Sequence, residues 1–160
     1  MQPRITSPAL SVPGVLEALQ ALSSAANEAA SQAGLPQTTI DLVSLRASQI
    51  NGCAVCLDMH TRMAKKAGEK EVRLFTIAAW REAPYFSDAE RAALALTEAA
   101  TRLCDRANPV PDEIWNEAAK HYDERALAAL VIHIAAINAW NRLNVTTGQI
   151  AGEWTAQWAR

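Results

Sequence analysis

The chain has 160 residues, half of them apolar, which is enough for one domain with a sizeable core, and we expect a single domain over 1–160. Fifteen lysines and arginines against seventeen aspartates and glutamates give a net charge of −2, so we expect no nucleic-acid partner. The first fifteen residues lack the apolar core of a signal peptide, and no stretch has the composition of a membrane span. We therefore expect a cytoplasmic protein without a membrane partner.

The N-terminal third predicts an extended arm followed by two helices. Residues 1–11 read as the arm. Pro13 suits the first turn of a helix that ends near Gly34, and a second helix follows Pro36. The second helix should end near Gly52, which suits a left-handed cap.

The rest of the chain predicts five more helices. The third should run from about 53 to 67 and the fourth from 69 to 82, before a proline. Ser87 and Glu90 form a capping-box signature for the fifth. The sixth covers about 112–122, and Asp123 caps a long, apolar seventh. Since no strand-like alternation occurs, we expect an all-α bundle of about seven helices, and GEWTAQWAR can add a last C-terminal turn.

Residues 51–60, NGCAVCLDMH, carry the most informative pattern in the chain. Cys53, Cys56 and His60 share one face of the predicted third helix, because their spacing follows the helical turn. Two cysteines three apart at a helix start can close a small disulfide, and the free N–H groups there stabilise a thiolate. Helix-end electrostatics favours Cys53 as the attacking sulfur. A histidine one turn beyond favours Cys56, and we give the histidine more weight.

Other kinds of site fit this motif less well. Zinc would need a fourth ligand beside Cys53, Cys56 and His60, and a c-type haem site would need histidine where Leu57 stands. An iron–sulfur cluster ordinarily needs four thiolates, whereas the chain has three cysteines. Buried apolar cysteines in a helix are the remaining alternative. We expect no metal and no bound cofactor.

The segments DLVSLRASQINGCAVCLDMHTRMAKKAG, RLFTIAAWRE and AINAWNRLNV resemble the AhpD-like alkylhydroperoxidase branch of the carboxymuconolactone decarboxylase superfamily. The resemblance spans about 36–147 and is most specific in CxxCxxxH. It implies an all-helical subunit that forms a homotrimer or homohexamer. It also implies a dithiol site that reduces a hydroperoxide substrate, with a dithiol electron donor outside the protein.

The resemblance also assigns roles to single residues. It makes Cys56 the peroxidatic cysteine, Cys53 the resolving one and His60 the residue that accepts and donates protons. The glutamate found twelve residues before the first cysteine of the family motif corresponds to Asp41, which is one methylene shorter. Val55 stands where that branch has a second histidine, so one member of the family's proton relay is missing.

Several polar residues lie on the predicted seventh helix. Asn138, Asn141 and Asn144 recur at three-residue steps although asparagine is a poor helix former. We interpret them as a buried polar network that fixes packing, and the alternative places one of them near the thiols. His133 is expected to be a hydrogen-bonded core or interface histidine.

Two pairs of tryptophans are also of interest. Trp80 and Trp140 are either core residues or the wall of an apolar pocket over the thiols. Trp154 and Trp158, four residues apart, could form an apolar patch for a subunit contact.

The sequence thus predicts a thiol-dependent peroxidase. Two alternatives stay open: a general disulfide oxidoreductase with the same dithiol, and a redox-responsive oligomeric protein without turnover.

Overall fold

The structure, a computed structural model, describes residues 2–152 and 155. Within these residues the chain forms helices and no strands, as predicted. The helices are α1 (Pro8–Ser11), α2 (Val15–Gln32), α3 (Gln37–Asn51), α4 (Ala54–Lys66), α5 (Glu71–Thr76), α6 (Asp88–Thr101), α7 (Asp112–His121) and α8 (Glu124–Thr147), with a 3₁₀ turn at Ile77–Ala79. Trp154, Trp158 and most of the predicted C-terminal turn lie outside the described residues.

The N-terminal segment differs from the predicted extended arm. Pro8 opens the single helical turn of α1, where its missing N–H is not needed. Before it, the N–H of Arg4 donates to the Thr147 carbonyl at 2.8 Å, and the Gln149 amide donates to the Ile5 carbonyl at 3.0 Å. The segment therefore lies against the C-terminal end of α8. The following helix, α2, begins at Val15, two residues later than Pro13 suggested.

The predicted fourth helix is shorter than expected, because α5 ends at Thr76 and only a 3₁₀ turn follows. The segment that follows the 3₁₀ turn is held by Arg91, whose guanidinium donates to the carbonyls of Trp80, Arg81 and Ala83. A side chain from α6 thus satisfies carbonyls that no helix satisfies here. Residue 83 also precedes a proline, which disfavours helical backbone there.

The predicted helix caps are confirmed. The Ser87 hydroxyl accepts from the Glu90 N–H, and the Glu90 carboxylate accepts from the Ser87 N–H, which is the complete capping box. The Asp123 carboxylate accepts from the Ala126 N–H at 2.9 Å and so opens α8. Gly52 ends α3 with a φ of 68°, a left-handed conformation that glycine adopts without strain.

Helix α8 lies at the centre of the fold, packed mainly against α2 and α3, while α3 also packs against α4 and α6. Contrary to the expectation from the sequence, its length and composition would allow it to span a membrane, but more than half of its most apolar stretch is buried inside this fold. We therefore read it as the core helix of the bundle. Its contacts with α3 and α4 also form the floor of the cysteine site.

Candidate active site

Gly52 and Cys53 place the two cysteines of the motif at a helix start. The left-handed cap at Gly52 turns the chain so that Cys53 becomes the N-cap of α4. The Cys53 sulfur accepts a hydrogen bond from the Cys56 N–H at 3.3 Å, and the two sulfur atoms lie 2.7 Å apart. Both thiols are free, and a small movement would bring them to disulfide distance.

The local electrostatics favours negative charge on Cys53. The hydrogen bond from Cys56 lowers the pKa of the Cys53 thiol to about 7, despite burial, with further help from the Cys56 N–H and nearby amides. The same hydrogen bond raises the pKa of Cys56, and burial adds to this. When the pair loses one proton, the resting thiolate is therefore on Cys53. The contact between the two sulfurs is the largest cause of this preference, and the Cys56 N–H at the helix start adds to it.

Asparagines from α8 contact this pair of thiols. The sequence left open whether these asparagines form a buried network or lie near the thiols, and both interpretations apply. The Asn144 amide donates to the Cys56 sulfur at 3.5 Å. Asn141 also lowers the pKa of both thiols by hydrogen bonding. Its own position is fixed by Asn51, which donates to its amide oxygen at 2.9 Å, and by Ser48, which accepts from it at 3.1 Å. The asparagines thus form a buried polar network, as predicted, and that network reaches the thiols.

The remaining surroundings of the cysteines are apolar and closed. Cys53 and Cys56 are each 1% exposed. Their cluster contains Ala47, Val55 and Ile137, with Trp140 packed against it. Trp80, by contrast, belongs to a different core cluster and donates to Glu98, so it does not line this site. A hydroperoxide can reach the sulfurs only if some of this cover moves.

His60 lies one turn after Cys56 on α4 and is half-buried. Burial, and to a lesser extent the nearby His133, lower the pKa of its imidazole to about 4. Its side chain makes no hydrogen bond to any residue in the described part of the chain, so the direct pairing with Cys56 considered from the sequence is absent there. At neutral pH His60 is an uncharged proton acceptor and contributes no positive charge to the thiolate.

Asp41 is not brought to the cysteines. It lies near the start of α3, about 10 Å along the helix axis from Ser48, which borders the site. Its carboxylate accepts from the Gln37 amide at 2.9 Å, and burial raises its pKa, helped by the nearby Glu69. Within the described residues it contacts neither cysteine nor His60. Its position corresponds to the family glutamate in sequence without giving a direct contact to the thiols.

His133 carries a second buried imidazole on α8. Its Nε2 atom and the Ser44 hydroxyl are 2.8 Å apart, whereas its Nδ1 atom is buried without a hydrogen-bond partner in the described structure. Burial lowers its pKa to about 4. The expected fully hydrogen-bonded core histidine is therefore only half satisfied.

Nothing in the described residues suggests a metal centre, since they contain no group of three histidine, cysteine, aspartate or glutamate side chains that could hold an ion. The site is instead a closed dithiol with amide donors. Fold and site together define an all-helical protein with a CxxC pair at a helix N-terminus.

Comparison with known proteins identifies the family to which this chain belongs. Residues 13–99 match the Carboxymuconolactone decarboxylase family, and the chain belongs to that family. The uncharacterised protein YdfG of Bacillus subtilis is 42% identical over 120 residues, covering 75% of this chain and 80% of YdfG. The uncharacterised protein YnjA of Escherichia coli is 36% identical over 104 residues, covering 64% of this chain and 55% of YnjA.

Solved structures agree with the AhpD-like fold. The crystal structure of ATU0492 from Agrobacterium tumefaciens, a protein of unknown function provisionally assigned to AhpD-type antioxidant defence, has a TM-score of 0.83 and 31% identity, covering 94% of this chain and 99% of that one. A cysteine-to-alanine variant of the debrominase Bmp8 in complex with 2,3,4-tribromopyrrole has a TM-score of 0.74 and 19% identity, covering 93% and 78% of the two chains. At that identity the second likeness concerns the fold alone.

Proposed function

We propose that this protein is a thiol-dependent peroxidase that reduces hydroperoxides through Cys53 and Cys56. The observation that carries the proposal is the pair of free sulfurs 2.7 Å apart at the start of α4. Membership of the family and the likeness to an AhpD-type antioxidant protein support an enzyme of antioxidant type. The proposal also includes an external dithiol donor, a cytoplasmic location and assembly as a homotrimer or homohexamer.

The first step oxidises Cys56 by two electrons. The Cys56 proton passes to the Cys53 thiolate across the short contact between the sulfurs. The Cys56 thiolate then attacks one oxygen of the hydroperoxide, and the O–O bond breaks to give a sulfenic acid and an alkoxide. The alkoxide takes the proton from Cys53 and leaves as the alcohol. Cys53 is thereby a thiolate again.

The second step closes the disulfide. The Cys53 thiolate attacks the sulfenic sulfur of Cys56, and hydroxide leaves and becomes water with a proton from solvent. His60, uncharged at neutral pH, is the proposed relay for that proton. The external dithiol then reduces the disulfide and is itself oxidised to a disulfide. Asp41 has no direct part, because it contacts neither cysteine.

Trapping the sulfenic acid tests the reaction and the roles of the two cysteines in it. Reduced protein is mixed with one equivalent of cumene hydroperoxide and dimedone, and peptide masses are measured. We expect a Cys53–Cys56 disulfide in the wild type, a dimedone adduct on Cys56 in Cys53→Ser, and little reaction in Cys56→Ser. Cys104→Ser, which removes an exposed cysteine, is the control and should behave as wild type. Unchanged thiols would refute the proposal, and an adduct on Cys53 in Cys56→Ser would reverse the roles.

One observation favours a second candidate, a general disulfide oxidoreductase. The lowered pKa of Cys53 gives an N-cap thiolate that is suited to attack an external disulfide. Reduced protein is therefore mixed separately with oxidised glutathione and with cumene hydroperoxide at equal concentration. Faster oxidation by hydroperoxide supports the peroxidase, and faster oxidation by glutathione supports the alternative. Repeated turnover with dithiothreitol separates either enzyme from a redox-responsive protein that reacts once.

A further inference from the structure

The side-chain amide of Asn144 contacts the Cys56 sulfur. Its amide nitrogen lies 3.5 Å from the Cys56 sulfur, and the residue is 9% exposed. Ala47, Val55 and Ile137 make up most of the remaining wall. A hydrogen bond to an anion is stronger in such apolar surroundings than in water.

We propose that Asn144 is a catalytic residue: its side-chain amide donates a hydrogen bond that stabilises negative charge on the Cys56 sulfur when that sulfur acts as the nucleophile. The inference rests on the proposed function for the chemistry of the nucleophile. The hydrogen bond itself does not depend on which oxidant the thiolate attacks.

The arrangement of donors explains why Cys56 needs this amide. The N–H at the helix start that faces the pair, that of Cys56, is already directed to Cys53. His60 is uncharged near pH 7 and makes no hydrogen bond within the described residues. The Asn144 amide therefore gives Cys56 a donor that the backbone does not supply, and Asn141 contributes to both thiols as well. A donor placed where charge develops is a recurring device of enzyme sites.

Asn141, which itself lowers the pKa of both thiols, also positions this donor together with its own partners. Asn141 is fully buried, held by Asn51 and Ser48 from α3, and lies on α8 one turn before Asn144. These contacts fix the register of α8 against the helix end that precedes Cys53. A shift of α8 would move the Asn144 amide away from the sulfur.

The test measures Cys56 alone, in a Cys53→Ser, Cys104→Ser background. Cys53 is the titratable group with a resolved effect on Cys56 among the described residues, so its removal leaves a single titration. The pH dependence of alkylation by iodoacetamide gives the thiolate midpoint. We expect Asn144→Leu, which has similar volume but no donor, to raise the midpoint by about one pH unit and to slow alkylation at pH 7 about tenfold.

A second variant and a control keep the outcome decisive. Asn144→Asp keeps the shape, replaces the donor by a carboxylate and should raise the midpoint at least as much, which decides the matter if Asn144→Leu does not fold. Thr147→Val removes a buried hydroxyl from the same helix that bonds to the Leu143 carbonyl, and it should leave the midpoint unchanged. Folding is checked by circular dichroism. An unchanged midpoint in a folded Asn144 variant would overturn the inference. A shifted midpoint in a protein that ignores hydroperoxide would refute only the proposed function.

Discussion

Gly52 determines where the two cysteines of the motif lie in the fold. Its left-handed backbone ends α3 and makes the next residue the N-cap of α4, so that a sulfur occupies the position where serine or aspartate usually stands. No atom would meet a Cβ added at this glycine, so the backbone conformation alone favours glycine there. Three residues after Gly52, Val55 fills an apolar cluster with its side chain, at the place where the family branch has a histidine.

The half-buried His60 and the buried His133 should make the fold sensitive to acid. The pKa values of His60 and His133 are each lowered to about 4, so between about pH 6.5 and 4 the unfolded chain binds protons that the folded chain does not. Stability is therefore complete above pH 6.5 and falls as the pH drops toward 4. We expect a loss of about 1.4 kcal/mol per pH unit for each histidine within that window.

Urea unfolding at pH 7.0, 5.5 and 4.5 measures this dependence. His133→Asn should remove about half of the slope. Asp41 acts in the opposite direction, because burial raises its pKa, but it does so equally in both proteins. Equal slopes for His133→Asn and wild type would contradict the burial of an uncharged imidazole.

Among the helices, α3 packs against α8 with one face and against α6 with the opposite face. Ser44, Ser48 and Asn51 bond to α8 and so align the helix that carries the amides of the site. The opposite face carries Arg46, which pairs with Glu98 of α6 at 2.6 Å. Glu98 also accepts from Trp80, which joins the 3₁₀ region to the same centre. The helix end that precedes Cys53 is thus fixed from two sides.

Glu98 should be one of the most sensitive positions of the fold. Burial alone would raise its pKa, but hydrogen bonds from Trp80, Arg81 and Arg46 outweigh burial and lower it to about 2. Glu98→Gln leaves the Arg46 guanidinium, which is 12% exposed, without its counter-charge. We expect a loss of about 3 kcal/mol in the free energy of unfolding at pH 7.

A matched variant separates burial from charge. Glu117→Gln removes a carboxylate that is 50% exposed and pairs with Lys120, so we expect a much smaller loss than for Glu98→Gln. The stabilisation by Glu98 should be complete above about pH 4.5 and disappear as the pH falls toward 2, because its folded pKa is the lower one. Equal losses in both variants at pH 7 would show that the buried cluster adds nothing beyond a surface ion pair.

For the whole molecule, the proposed assembly can be measured directly. Phe75 and Val72 on α5 are 78% and 39% exposed, which is unusual for large apolar side chains in a monomer. Light scattering after gel filtration should give three or six times the chain mass of 17.3 kDa. Phe75→Ser should lower the measured mass if α5 lies in the contact. A mass of one chain at micromolar concentration would contradict the oligomer.

The sequence predicted most of this architecture because its signals were local. Caps at Ser87, Gly52 and Asp123 fix helix ends from neighbouring residues alone, and the structure confirms them. The end of α5 was missed because Pro84, the stop signal in the sequence, lies eight residues beyond Thr76.

The candidate site was predictable only where its residues are neighbours in the sequence. The spacing of Cys53 and Cys56 identified the thiols, since both belong to one helix start. That Asn144 reaches Cys56 depends on how α8 packs across α4, a contact between residues 88 positions apart. The only signal in the sequence was the repeated occurrence of asparagine, a poor helix former, along an apolar helix. The separation of Asp41 from the thiols likewise depends on three-dimensional placement.

Under the proposed function, the short distance between the two sulfurs also protects the site from excess oxidant. A thiol held beside a newly formed sulfenic acid acts at a very high effective concentration, so condensation should outpace attack by a second peroxide molecule. The closed apolar cover adds a further barrier to that second molecule. Hyperoxidation to sulfinic acid, the irreversible loss that ends the working life of an exposed cysteine, should therefore be rare at this centre.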